Sequence, residues 1–203
     1  MSTTAGPARR SRHDRTRRRL LDAAAELLSK DSRAPLAEVA TAAGVGRTTL
    51  HRYFATREDL IHALADEAVD CVADAIAAAG PAAGPVLPAL HRVVEGLVEL
   101  GPYVRFLNAD PVVYDSPDLV RRWYEAFDPV AVAVRRGQAD GVLRNDLPVE
   151  WVVDLLGGAV ITAWDSVHEG RLAAGASADV VARSVFGGIA DTSSGSTGSR
   201  RAR

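Results

Sequence analysis

The stretch 36–57, LAEVATAAGVGRTTLHRYFATR, decides the fold. Leu36, Val39, Ala40 and Ala43 fall at i, i+3, i+4 and i+7, the single apolar stripe of a short helix that buries one face. Gly44 follows the last periodic residue, where glycine adopts the left-handed conformation that ends a helix at little steric cost, and Val45 plugs the corner. A second short helix starts near Gly46, with Leu50, Tyr53 and Phe54 turned inward. Its other side carries Arg47, Thr48, His51 and Arg52, hydrogen-bond donors suited to phosphates and base edges and ill suited to a core. The pattern predicts a helix-turn-helix with a DNA-reading face.

Within it, AGVGRTTLHRYFATREDL resembles the signature of the tetracycline-repressor (TetR) family of bacterial transcription regulators, and with the preceding helix the resemblance covers roughly residues 14–66. The resemblance implies an all-α homodimer, with an N-terminal helix-turn-helix three-helix domain and a larger helical domain for effector binding and dimerisation. It also implies that Arg47, Thr48 and Thr49 open the reading helix against bases and phosphates, that His51 and Tyr53 touch the DNA backbone, and that Arg57 does the same. Two positions depart from the family pattern. His51 stands where tyrosine is commonest, and Pro35 stands where a hydroxyl cap is usual, so that helix starts from proline's preset dihedral.

Charge agrees with this division. Residues 1–57 hold 12 Arg and Lys against 5 Asp and Glu, a surplus of seven, while 58–203 hold 12 against 21, a deficit of nine, which together give the net −2. The basic part is where an anionic polymer would bind. Apolar residues make up 47% of the 203, and mean hydropathy is near zero, which suits a globular chain long enough for a real core. A lone cysteine, Cys71, excludes an internal disulfide and fits a reducing compartment. No uninterrupted apolar window of about 18 residues is present, and Asp22 and Glu26 break the run after the arginine-rich start. The expectation is a cytoplasmic protein with neither a membrane span nor a secretory leader.

Composition predicts a disordered basic arm at 1–12, whose Arg9, Arg10 and Arg12 either reach an adjacent minor groove or stay solvated. A helix is expected from Asp14 to about Lys30, with Arg15, Arg17, Arg18 and Arg19 in its first turns. That arrangement opposes the helix dipole unless an anion lies nearby, and a phosphate backbone would supply one. The DNA-binding domain is placed at 13–58. Thr56 and Asp59 have the spacing of a capping box at the start of a long helix, which runs to Gly80 and joins both halves. Residues 80–88, GPAAGPVLP, read as a flexible connector.

The effector-binding and dimerisation domain is placed at 59–190, followed by a disordered tail at 191–203. Ser116 and Pro117 cap a helix in which Pro129 predicts a kink or break near Asp128, opening room beside Trp123, Tyr124 and Phe127. With His91, Tyr103, Phe106, Trp164 and His168 these form the expected effector pocket, a mostly apolar cavity with a few polar points for a small apolar or amphipathic ligand. Residues 148–169 carry two apolar stripes, the second including Trp151, Leu155 and Ile161. Together with 177–190 that stripe is assigned to a homodimer interface.

Enzymatic motifs are absent: no G-x-S-x-G elbow, no Walker loop, no cysteine or histidine cluster with metal-ligand spacing. No catalytic residue, metal or cofactor is therefore assigned. The reading is a dimeric regulator, acting as a repressor on a palindromic double-stranded DNA operator and released by an effector. The alternative is a helical ligand-sequestering or protein-interaction module.

Overall fold

A computed structural model describes residues 7–109 and 115–190, with side chains from His13 onward. Its described residues form nine α-helices: α1 (Pro7–Leu28), α2 (Leu36–Ala42), α3 (Arg47–Tyr53), α4 (Arg57–Ala79), α5 (Val86–Glu99), α6 (Gly101–Ala109), α7 (Pro117–Ala139), α8 (Val149–His168) and α9 (Ser177–Ile189). A 3-10 turn, Ala174–Ala176, precedes α9. The all-α expectation holds, and no helix among the described residues is long and apolar enough to cross a membrane.

The chain divides into two compact units. One holds the described residues up to Asp70 together with those between Pro102 and Val120; the other holds Cys71–Gly101 and those from Arg121 onward. The first unit therefore extends past residue 58, where the sequence places the boundary, and takes in nearly all of α6. Its core joins Leu20, Leu21 and Ala24 of α1, Val39 and Ala40 of α2, Leu50 of α3, Leu60 and Leu64 of α4, and Phe106 of α6. At about 25 cal/mol per Å² of apolar surface, this burial is what holds helices as short as α2 and α3, which would be marginal alone.

In the second unit α5, α8 and α9 pack against one another. Val94 and Leu97 of α5, Leu156 and Val160 of α8, and Val181 and Val185 of α9 are buried there, with Val130 and Val134 of α7. Arg144 N–H donates to Ile189 O at 2.8 Å, tying the end of α9 to the segment after α7.

Three expectations are corrected. First, α1 begins at Pro7, so residues 7–12 are helical where the sequence predicts an arm; proline at a first helical position costs no hydrogen bond and presets φ. Residues 1–6 and the tail 191–203 lie outside the described residues. Second, α7 runs unbroken through Pro129. The carbonyl deprived of a donor is that of Glu125, and both residues are exposed, so water can satisfy it and the ring has space.

Third, the connector after α4 is held in place. Arg92 donates to Ala79 O at 2.8 Å and to Gly80 O and Ala83 O at 3.3 and 3.4 Å. Arg136 donates to the carbonyls of Pro81, Ala82 and Gly84. Gly80 and Gly84, at φ +56° and +73°, aim those carbonyls as few other residues can. Two guanidinium forks thus satisfy the backbone acceptors of a stretch with little apolar surface of its own. Arg136→Met should lower the unfolding free energy by about 2 kcal/mol in urea titration. An unchanged midpoint would mean that the connector is ordered without the fork.

Candidate nucleic-acid interface

The turn between α2 and α3 forms as its residues dictate. Gly44 takes φ +64°. Gly44 N–H donates to Thr41 O at 3.0 Å and Val45 N–H to Ala40 O at 2.9 Å, the paired bonds of a Schellman ending. Arg19 of α1 adds a guanidinium bond to Ala43 O, fastening the turn from outside. Pro35 starts α2 at φ −67° with no side-chain cap, as its identity requires.

With the turn fixed, α3 is oriented by its apolar residues. Leu50 and Phe54 are buried, whereas Arg47, Thr48, His51 and Arg52 are exposed, and Thr49, Tyr53 and Arg57 are half-buried. The four exposed residues present guanidinium, hydroxyl and imidazole groups together, the chemistry that pairs with phosphate oxygens and the acceptor edges of bases. Tyr53 closes the helix. The Arg52 guanidinium lies 5.7 Å from its ring centroid, and the ring of His13, from α1, lies 4.4 Å away at 33°.

The capping box at the start of α4 is reciprocal. Asp59 N–H donates to Thr56 Oγ1 at 3.1 Å, and Thr56 N–H donates to Asp59 Oδ2 at 2.9 Å. This sets the direction of Arg57, whose guanidinium donates to Ala34 O at 2.7 Å and to Ser32 O. Arg57 thus braces the entry to α2, with two of its five donors engaged and three left. The α1 arginines also find a partner that the sequence did not suggest. Arg17 and Arg18 both donate to Glu67 of α4, at 3.0 and 2.7 Å, so the anion opposing them is the chain's own carboxylate.

The eight residues assigned to an effector pocket divide between the two units. Tyr103 and Phe106 belong to the first unit, where both are buried, and Tyr103 Oη donates to Asp22 Oδ1 at 2.6 Å. Tyr124 is 65% exposed, because on α7 it lies about 100° round the helix from Trp123 and about 60° from Phe127, which pack edge-to-face at 4.8 Å. Trp164 stacks on His168 at 5.3 Å and lines a cavity of about 230 Å³ with Val98, Glu99 and Val167. His91 lines a separate groove of about 510 Å³ with Leu87 and Phe186. Its ring nitrogens face Glu95 and Asp179, each at 3.4 Å.

A larger groove, about 750 Å³, runs along α8 and α9 and is lined by Trp151, Leu155 and Gly158 on one side and Val181, Val185 and Gly188 on the other. Trp151 and Leu155 are 58% and 37% exposed, whereas Val152, Leu156 and Val160 of the same helix are buried. Among the described residues, therefore, Trp151 and Leu155 of the second apolar stripe of α8 stay open, while Ile161 is half-buried. At the rim, the Arg144 guanidinium donates to both carboxylate oxygens of Asp146, at 2.9 and 2.6 Å, and holds that carboxyl below its ordinary pKa.

Comparison with known proteins places this geometry. The model of the family described as bacterial regulatory proteins, tetR family, matches residues 20–64. The HTH-type transcriptional repressor LfrR of Mycolicibacterium smegmatis is 34% identical over 157 residues, covering 77% of this chain and 82% of that protein. The HTH-type transcriptional regulator NfxB of Pseudomonas aeruginosa is 29% identical over 162 residues, 79% of this chain and 87% of NfxB. Among solved structures, LfrR from Mycobacterium smegmatis in complex with proflavine superposes with a TM-score of 0.71 at 33% identity, covering 86% of this chain and 97% of that one.

Proposed function

The chain belongs to the tetR family of bacterial regulatory proteins, and on that premise we propose that it is a repressor whose operator contacts are made by α3. It is a DNA-binding transcriptional regulator and not an enzyme. The observation that carries the proposal is the sidedness of α3: Leu50 and Phe54 are buried while Arg47, Thr48, His51 and Arg52 stand open. Arg47, Thr48, Thr49 and Arg52 meet base edges and phosphates; His51, Tyr53 and Arg57 meet the backbone, Arg57 with the donors it does not spend on Ser32 and Ala34.

Two copies join through α8 and α9, the helices whose groove and exposed Trp151 and Leu155 are left open among the described residues. A symmetric pair sets its reading helices roughly 34–36 Å apart, one turn of duplex, on a palindromic operator in the cytoplasm. The effector is small and apolar or amphipathic, a reading supported by the relative solved in complex with proflavine. Its binding favours a conformer with the reading helices wrongly spaced, and operator affinity falls by a coupling energy of about 1–3 kcal/mol. Helix α4, continuous from Arg57 to Ala79, carries that change along its length.

Mapping bound genomic sites and measuring the recovered duplexes tests this. Arg47→Ala should cut the preference for a recovered palindrome over unrelated duplex by about 1–3 kcal/mol, whereas Tyr53→Ala, which removes a backbone contact, should weaken both duplexes alike. Preference unchanged by Arg47→Ala together with affinity unchanged by Tyr53→Ala would remove α3 from the interface.

A further inference from the structure

Tyr53 ends a seven-residue helix, and the chain leaves helical geometry at the next residue, Phe54, with φ −136° and ψ 106°. A side chain at such a terminus has few neighbours on its own helix to fix its rotamer. Ordering it at the moment of binding would subtract from affinity. Beside its chain neighbours, the Arg52 guanidinium at 5.7 Å and the Phe54 ring at 6.4 Å, the ring meets one from α1: His13 and Tyr53 lie 4.4 Å apart between centroids, the shortest of these approaches. His13 is held there by the helix it belongs to, since Leu20 and Leu21, two turns on, are fully buried. Its own side chain is 58% exposed, so core packing does not account for its place.

We infer that His13, outside the helix-turn-helix, is a positioning residue for DNA binding: its ring stacks on Tyr53 and presets the tyrosine for its backbone contact. The inference rests on the reading of Tyr53 as a DNA contact and adds a residue that lies outside the 20–64 match. The stack acts through shape and ring contact, so an aromatic ring without nitrogen should serve in its place.

The test uses the full-length protein, a duplex that it selects from a randomised pool, and an unrelated duplex of equal length. His13→Ala should weaken the selected duplex roughly 3- to 10-fold with an unchanged melting temperature. His13→Phe should stay within about 2-fold of the parent, and in a Tyr53→Ala background His13→Ala should have no further effect. Three results would overturn the inference: affinity unmoved by His13→Ala, His13→Phe as weak as His13→Ala, or a full His13→Ala effect persisting without Tyr53. If instead the pool yields no duplex that Arg47→Ala weakens, the fault lies with the reading of α3 and not with His13.

Discussion

A Leu155→Arg variant should elute as a monomer and bind its operator roughly 100-fold or more weakly than the parent, with its helical circular dichroism intact. The magnitude follows from two effects. A C2 interface uses the same patch twice, so one substitution places two unpaired guanidinium groups in an apolar contact, each with a desolvation cost of several kcal/mol. Once separated, each copy holds a single half-site and loses the effective concentration that joins the two, a factor of 10²–10⁴ in typical bivalent systems. The fold should tolerate the change because Leu155 points away from the core that Val152, Leu156 and Val160 fill. Gly157 and Gly158, beside it, have open space where a Cβ would lie. Light scattering and duplex titration on one preparation decide the matter: a Leu155→Arg protein that stays dimeric would move the interface elsewhere.

Gly101→Ala should lower the unfolding free energy by about 3 kcal/mol and the melting temperature by roughly 6–12 °C. A Cβ at Gly101 would stand 2.0 Å from Trp164 Cδ1 and 2.9 Å from its Cγ, so the indole or the start of α6 must move. The indole is not the loose end of a flexible chain, since it is stacked on His168 within 8° of parallel. Gly96 supplies the control. A Cβ there would meet Ala75 Cβ at 3.5 Å, ordinary contact, so Gly96→Ala should be neutral or gain up to about 1 kcal/mol from helix propensity. Pairing Gly101→Ala with Trp164→Leu should cost less than the sum of the two single changes. Strict additivity would show that the indole is not what excludes the methyl.

The features legible in the sequence are those fixed by neighbours in the chain. The turn at Gly44, the uncapped start at Pro35 and the box formed by Thr56 and Asp59 each depend on residues within a few positions, and each forms as expected. The sidedness of α3 was legible for the same reason, being a matter of helical period. What could not be read depends on partners far along the chain. The connector after α4 looks mobile by composition because the arginines that order it, Arg92 and Arg136, lie beyond it, Arg136 more than fifty positions from each carbonyl it bonds. Arg17 and Arg18 look like phosphate ligands until Glu67 of α4 is seen against them.

The pocket assignment shows the same limit. Tyr103, a polar aromatic in an apolar run, has the profile of a ligand contact, yet its hydroxyl is taken by Asp22 of α1, 81 positions away. Tyr124 joins the expected pocket through the kink that Pro129 predicts; the helix runs on without it, and Tyr124 faces away from the Trp123–Phe127 pair. The isolated ring of His13 carries no periodic signal in the sequence; only its approach to Tyr53 gives it a role.

The arginine forks over Pro81, Ala82, Ala83 and Gly84 have a consequence for how this chain can change over generations. Glycine- and proline-rich joints ordinarily absorb insertions and deletions, since loop closure penalises length only weakly. Here each added or deleted residue would carry carbonyls out of reach of both guanidinium groups at once. Length variation is therefore expected to accumulate elsewhere, and a stretch that looks like slack is held to one measure.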